Sequence, residues 1–118
     1  MIPSIGLETH ALLDTGAAWS LVGGDLADMI AEQGGEVRQT IILSTRLGRI
    51  RGELQELDIV LPAERGDGLR VTGSVVVATG WTGPMVLGYR GFLERLRFAL
   101  DPGTQVDDAW FFFGSAGG

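Results

Sequence analysis

Short apolar runs, separated by glycines and polar residues, make up most of this chain of 118 residues. Leu54, Leu57, Ile59 and Leu61 alternate in part with polar positions, which predicts a strand with one exposed face. Residues 75–77 are three consecutive valines, and such a run favours a central strand covered on both faces. Together with the turn residues, this pattern predicts strands at 2–7, 10–13, 37–44, 50–61, 69–78, 85–87, 97–100 and 110–113.

Two short segments have helical spacing instead. Residues 25–31 place Leu26, Met29 and Ile30 on one face, and a glycine pair at 34–35 ends the helix. Residues 91–96 bring three large apolar side chains together in the same way. With 19 glycines and no internal repeat, the sequence predicts a single all-β domain over residues 1–118, with one or two short helices.

Charge and composition exclude several functions. The net charge is -6 and the nine Lys and Arg residues form no long run, so we expect no nucleic-acid partner. The chain has no cysteine, which excludes disulfides and a thiol nucleophile but leaves the compartment undecided. Because no apolar stretch has the length of a membrane span and no signal-peptide pattern is present, we expect a soluble domain without a membrane segment. A hydrophobic content of 45% at this length favours apolar surface buried between subunits.

One carboxylate, Asp14, follows an apolar run and enters a small turn in the tripeptide Asp-Thr-Gly. An isolated Asp-Thr-Gly is a weak signal, because an Asp in a turn commonly accepts hydrogen bonds from nearby backbone amides. Here two leucines precede the motif, Ala17 and the segment 20–22 follow it, and the sequence Met-Val-Leu-Gly lies downstream at 85–88. In this order these segments resemble the retropepsin-like aspartic proteases, single-domain homodimeric enzymes that include the retroviral proteases.

The resemblance implies a half-barrel acid-protease fold and an active site shared by two copies of the chain. Asp-Thr-Gly occurs once and Asp-Ser-Gly is absent, so each subunit would supply Asp14. Two carboxylates about 3 Å apart hold one proton between them, so one acts as the base that activates water and the other as the acid. By the same resemblance Thr15 bonds across the dimer axis, Gly16 lets the backbone lie close to the carboxylates, and Ala17 completes the loop. No metal or cofactor is required, and we expect activity at acidic to mildly acidic pH.

Residues 44–52 resemble the flap, the hairpin that closes over substrate in this family. Leu47, Gly48, Arg49 and Ile50 would form its tip, because glycine supplies mobility and turn geometry. The alternative is a plain hairpin turn whose arginines keep the sheet edge soluble.

Four residues match positions that line the central substrate pockets of the family: Leu12, Trp19, Pro84 and Val86. Trp19 replaces a polar residue of the retroviral enzymes, and Trp81 is a further candidate wall. These residues predict apolar substrate side chains. The alternative is that they are ordinary core residues.

Two features depart from the retroviral pattern. In the retroviral enzymes an acidic residue shortly after Asp-Thr-Gly-Ala pairs with an arginine that follows the downstream glycine. This chain has no acidic residue there, so Arg90 lacks that partner. The segment before Asp14 is short, so we expect no N-terminal interface strand. The dimer sheet is then expected to rely on residues 110–113, Trp-Phe-Phe-Phe, which need burial within the subunit or against a second copy.

Other catalytic groups find no support in the sequence. His10 is the only histidine, and we expect it to pack or lie at the surface rather than bind metal. Ser20 does not lie in Gly-x-Ser-x-Gly, and Asp107 with Asp108 fits a solvated turn better than a calcium site.

We therefore expect an aspartic endopeptidase that hydrolyses peptide or protein substrates as a homodimer. The alternative is a non-catalytic peptide-binding or dimerisation module that retains the fold and holds a peptide by strand addition. A third interpretation is a proteolytic domain of a larger chain, active only when neighbouring segments hold the dimer together.

Overall fold

Strands account for most of the described part of the chain. The computed structural model describes residues 1–33, 36–45, 48–104 and 109–116. Its main elements are β1 (Ala11–Leu13), β2 (Ser20–Val22), α1 (Gly24–Glu32), β3 (Val37–Thr45), β4 (Gly48–Leu61), β5 (Leu69–Val77), β6 (Met85–Leu87), β7 (Leu96–Asp101) and β8 (Trp110–Ser115). The prediction of a mostly β chain with a short helix is confirmed.

Six strands form one mixed sheet in the order β1-β6-β2-β5-β4-β3. β1 is parallel to β6, and β2 is parallel to β5. β2 also meets β6 antiparallel, with Leu21 opposite Val86. β3, β4 and β5 are joined by antiparallel pairing, while β7 and β8 form a separate antiparallel pair. β6 therefore lies between the two strands that flank the Asp14 turn.

The long strand β4 contributes to both faces of this sheet. Ile50 and Leu54 belong to one apolar cluster, and Leu57 and Ile59 belong to another. Because successive strand residues point to opposite faces, the even-numbered pair and the odd-numbered pair lie on opposite sides of the sheet. The neighbouring strand β5 is covered on both sides, since residues 75–77 are all buried, as the valine run predicted.

Two apolar clusters cover these two faces. The first cluster packs α1 and the turn after β6 against the sheet, and Phe92 and Leu93 are among its largest fully buried side chains. The second cluster has a buried centre of Leu21, Ile50, Leu54, Val76 and Ala78, surrounded by the partly buried Trp19, Ile41, Leu43, Trp81 and Val86. The second cluster therefore reaches the segment after the Asp14 turn through Trp19 and Leu21, and reaches β6 through Val86.

The strand predicted over residues 2–7 is wrong. The chain forms a 3-10 turn at Pro3–Ile5, flanked by a single bridge between Ile2 and Leu7. Pro3 has no N–H to donate to a sheet, and Gly6 has a φ of 63°, a conformation that favours glycine. This combination reverses the chain where the apolar pattern alone indicated a strand.

The two helix predictions have different outcomes. α1 confirms the helix predicted over 25–31, while the glycine pair at 34–35 lies outside the described residues. The helix predicted over 91–96 is reduced to a 3-10 turn at Leu93–Arg95, because Leu96 already pairs with Ser115 in the β7-β8 sheet. β2 was not predicted as a strand, since it has three residues and is defined by its pairing with distant strands.

Among the described residues, no helix is both long enough and apolar enough to cross a membrane.

Asp58 on β4 accepts hydrogen bonds from two side chains of β5. Its Oδ1 lies 2.6 Å from the Thr72 hydroxyl, and its Oδ2 lies 3.2 and 2.9 Å from Nε and Nη2 of Arg70. The Thr72 hydrogen bond, followed by those from Arg70, holds the pKa of the Asp58 carboxyl below its ordinary value of 3.8. A pKa lowered by folding means that the carboxylate stabilises the fold above pH 3.8, and that this stabilisation is lost as pH falls through the lowered value.

We expect Asp58→Asn to lower the free energy of unfolding at neutral pH by a small amount, since the pair with Arg70 is exposed. The difference from wild type should shrink in acid, because the wild-type carboxyl also becomes neutral there. Urea denaturation from neutral pH to about pH 2 measures this difference. Thr72→Val should weaken the same pH dependence, and a difference that stays constant across the series would contradict the assignment.

Candidate active site

Asp14 lies directly after β1, in a turn that leaves its side chain exposed. Its backbone N–H donates to the Leu87 carbonyl at 3.0 Å, so the pairing with β6 extends to Asp14 itself. The Gly16 N–H donates to Asp14 Oδ1 at 2.9 Å, and the Ala17 N–H donates to the Asp14 carbonyl at 3.1 Å. The carboxylate is therefore oriented by its own turn while it remains accessible, so a structural role and a chemical role are compatible.

Thr15 and Gly16 form the exposed tip of this turn. A Cβ at Gly16 would lie 3.2 Å from Asp14 Oδ1, closer than most Cβ contacts, so glycine lets the turn close onto the carboxylate. The hydrogen bond of Thr15 across a dimer axis requires a second copy and stays a prediction.

The chain after β6 also holds the arm that follows the turn. Tyr89 N–H donates to the Ala17 carbonyl and Arg90 N–H donates to the Ala18 carbonyl, both at 2.9 Å. Trp19 then forms a parallel bridge with Arg90. Residues 85–90 are thus bonded to the arm before Asp14 and to the arm after it, which fixes both ends of the turn.

Gly88 lies where residues 85–90 come very close to the arm that follows the turn. A Cβ at this position would collide with the Trp19 carbonyl and would lie 2.9 Å from the Ala17 carbonyl oxygen. The Gly88 N–H donates to the Oγ of Ser20 at 2.9 Å, and Ser20 is fully buried. This role of Ser20 was not predicted from the sequence. The one signal that could have indicated it was the position of Ser20 shortly after the Asp-Thr-Gly turn.

The structure brings three of the predicted pocket and flap residues into one apolar surface. Trp19, Ile50 and Val86 all belong to the second cluster, on the same face of the sheet. Ile50 is buried, whereas Trp19 and Val86 are partly exposed. This surface adjoins the Asp14 turn through Trp19, which has a backbone bridge to Arg90, and through Val86 on β6.

Two other predicted pocket residues are exposed. Leu12 pairs with Val86 in the β1-β6 register and has 55% of its surface accessible. Pro84 is exposed, and its carbonyl accepts the indole N–H of Trp81 at 2.8 Å. Trp81 also packs so closely on Gly83 that a Cβ there would collide with the ring. Trp81 therefore shapes the loop that leads into β6.

The predicted flap corresponds to the β3-β4 hairpin. β4 begins at Gly48, which has a φ of 104°, and the Thr45 hydroxyl donates to the Gly48 carbonyl at 2.8 Å. Arg49 is exposed, and Leu47 lies outside the described residues. The hairpin itself is present, and its closure over a substrate stays a prediction.

Arg90 has a contact that the sequence analysis missed. Its guanidinium lies over the Trp19 ring, 5.9 Å from the ring centroid. A cation over an indole is attracted by the negative face of the ring. In this chain the Arg90 guanidinium contacts an aromatic ring, and a tryptophan five residues after Asp14 was the signal that could have indicated this contact.

The remaining candidates add no second site. His10 is exposed next to β1, and Asp107 with Asp108 lies outside the described residues. Within the ranges that the structure describes, no group of three or more His, Asp or Glu side chains is arranged to hold a metal ion. No family model, curated protein or solved structure matches this chain. Functional assignment therefore depends on the motif and on the geometry around Asp14.

We expect Ser20→Ala to lower the free energy of unfolding by about 1–3 kcal/mol, because the buried Gly88 N–H loses its acceptor. Urea denaturation measures this loss. Ser44→Ala is the matched control, since Ser44 is exposed on β3 and should change stability by less than about 0.5 kcal/mol. Equal effects of the two substitutions would argue against a structural role of the Ser20 hydroxyl at Gly88.

Proposed function

We propose that this chain is a retropepsin-like aspartic endopeptidase with a half-barrel fold, active as a symmetric homodimer. The observation that carries the proposal is the exposed Asp14 carboxylate on a turn whose two arms are both bonded to residues 85–90. General acid–base catalysis needs carboxylates held in a defined direction, and this turn supplies that rigidity. The Asp-Thr-Gly sequence and the Gly88 contact both lie at this point.

Hydrolysis by this route requires two carboxylates. In the proposed dimer, Asp14 of each subunit lies at the two-fold axis, and the two groups share one proton. The ionised carboxylate takes a proton from water as the water oxygen attacks the peptide carbonyl carbon, and the protonated carboxyl donates its proton to the carbonyl oxygen. Collapse of this intermediate breaks the C–N bond, protonates the amine and regenerates the shared proton, giving a carboxylic acid and an amine.

The surface around the turn supports an interface with a second copy. Leu12, Asp14 and Thr15 are all exposed in the single subunit, although Leu12 is a large apolar residue. An exposed apolar residue such as Leu12, next to the Asp14 turn, is well suited to burial against the same turn of a second copy. A two-fold axis at this point would bring the two Asp14 carboxylates together.

The β7-β8 hairpin supports the same assembly. A two-stranded sheet is marginally stable in isolation, and within the described residues β8 pairs with β7 alone. Trp110 and Phe112 stack at a centroid distance of 6.1 Å, and Phe112 is 52% exposed. β8 has no charged residue, so two copies with a net charge of -6 each can approach there without direct repulsion. Antiparallel pairing of β8 with its symmetry mate would extend the hairpin into a four-stranded sheet.

The second cluster supports the substrate class. Three of its partly exposed members, Trp19, Trp81 and Val86, form an apolar surface between the Asp14 turn and the β3-β4 hairpin. Such a surface would accept apolar side chains of an extended peptide, whose backbone would lie between the turn and the hairpin. We propose peptides or unfolded proteins as substrates.

We expect Asp14→Asn to reduce cleavage at least about a thousandfold, because an amide cannot exchange the shared proton. A diverse peptide library, read by mass spectrometry from acidic to neutral pH, measures this loss. Asp28→Asn is the matched control, since Asp28 is exposed on α1 and should leave cleavage unchanged. Cleavage preserved in Asp14→Asn would refute the proposal. A folded dimer of the wild type that cuts no peptide, and whose peptide affinity is unaltered by Asp14→Asn, would favour the binding module.

We expect Phe112→Lys to weaken the dimer about tenfold or more, because a charge would replace an aromatic residue buried at the proposed interface. Sedimentation over a dilution series measures the dissociation constant, and activity should fall in parallel. Ile42→Lys is the matched control, because Ile42 is 60% exposed on β3 and lies outside the proposed interface. Equal dimerisation of both variants and the wild type would exclude β8 as the contact.

A further inference from the structure

A cavity of about 340 Å³ lies beside Trp19. Its walls include Trp19, Leu54, Ser74, Arg90, Glu94 and Arg95. Trp19 and Leu54 also belong to the second cluster, so the cavity is continuous with the surface proposed to hold substrate. A peptide that lies across Trp19 would therefore reach this cavity with residues farther from the scissile bond.

Arg90 contributes a positive charge that is suited to bind a ligand. Its backbone is held by the Ala18 carbonyl, and its guanidinium lies over the Trp19 ring. A guanidinium over an aromatic face keeps its in-plane N–H groups able to bind a carboxylate through two parallel hydrogen bonds. Within the described part of the chain, no carboxylate lies within ion-pair distance of Arg90.

Arg95 contributes a second guanidinium in a fixed position. Its Nη1 donates to the Thr72 carbonyl at 2.7 Å and its Nη2 donates to Ser74 Oγ at 3.2 Å. The acidic wall residue, Glu94, is already engaged with the backbone of the preceding turn, because its Oε2 accepts the Gly91 N–H at 2.8 Å. Two guanidinium groups and one carboxylate leave this cavity with a net positive charge, in a chain whose net charge is -6.

We propose that the cavity between Arg90 and Arg95 binds an acidic side chain of the peptide substrate, and that Arg90 determines this specificity. This inference depends on the proposed function, because it assigns a substrate preference to the same cleft. The apolar surface binds side chains near the scissile bond, and the cavity binds Asp or Glu farther along the peptide. The symmetric dimer carries one such cavity at each end of its cleft.

The test uses peptide pairs that differ only by Glu or Gln, with the substitution moved through the positions that flank a mapped cleavage site. Wild type should cleave the Glu peptide about three- to tenfold faster at one fixed distance from the cut, as expected for a charge-assisted hydrogen bond. Arg90→Gln should remove this ratio, and Arg90→Glu should invert it. Arg97→Gln is the matched control, because Arg97 is exposed on β7 and should retain the wild-type ratio.

A second measurement separates this inference from the proposed function. The same Glu and Gln peptides are bound to Asp14→Asn, with and without Arg90→Gln, and the affinities are compared by fluorescence polarisation. A Glu preference that disappears with Arg90→Gln supports the cavity even where no turnover is found. Cleavage by wild type with equal rates for Glu and Gln at every position overturns the inference and leaves the protease proposal intact. Absence of cleavage together with equal affinities overturns both.

Discussion

Residues 85–90 lie close to both arms of the Asp14 turn, and this packing holds the turn in place. β6 pairs with β1 on one side and meets β2 on the other, so a single short strand joins the segments before and after the turn. The approach is close enough at Gly88 that a side chain there would collide with the Trp19 backbone. The Gly88 N–H, which could not reach water, finds its acceptor in the buried Ser20 hydroxyl. Position and direction of the Asp14 carboxylate follow from these contacts.

The sheet of this short chain has an apolar cluster on each face, one forming the main core and the other the proposed binding surface. The first cluster encloses fully buried residues such as Phe92 and Leu93, and it carries most of the packing. The second cluster lies on the opposite face and keeps Trp19, Trp81 and Val86 partly exposed. β4 and β5 serve both clusters, because alternate residues of a strand face opposite sides. The core and the surface proposed to contact substrate thus lie on different faces of the same strands.

Several exposed features of the single subunit have a common explanation in the proposed dimer. The Asp14 turn carries one carboxylate where the proposed chemistry needs two, Leu12 is exposed beside it, and β8 presents an aromatic residue on a two-stranded sheet. A second copy would cover the apolar residues and complete the pair of carboxylates. The proposed acidic preference at Arg90 adds to this arrangement, since a positive cavity in an acidic chain selects among the peptides that reach the cleft.

Features that depend on local chemistry could be predicted from the sequence. The valine run predicted the central strand β5, residues 25–31 predicted α1, and the Asp-Thr-Gly tripeptide with its leucines indicated the turn that carries Asp14. Features that depend on distant partners could be seen only in the folded chain. β2 is a strand because β5 and β6 pair with it, Leu96 extends β7 because Ser115 lies opposite, and Arg90 contacts Trp19 because residues 17–20 and 88–90 run side by side. Hydrogen bonds and ring contacts between segments that are 19 to 71 residues apart leave no local pattern in the sequence, since each segment alone is compatible with several partners.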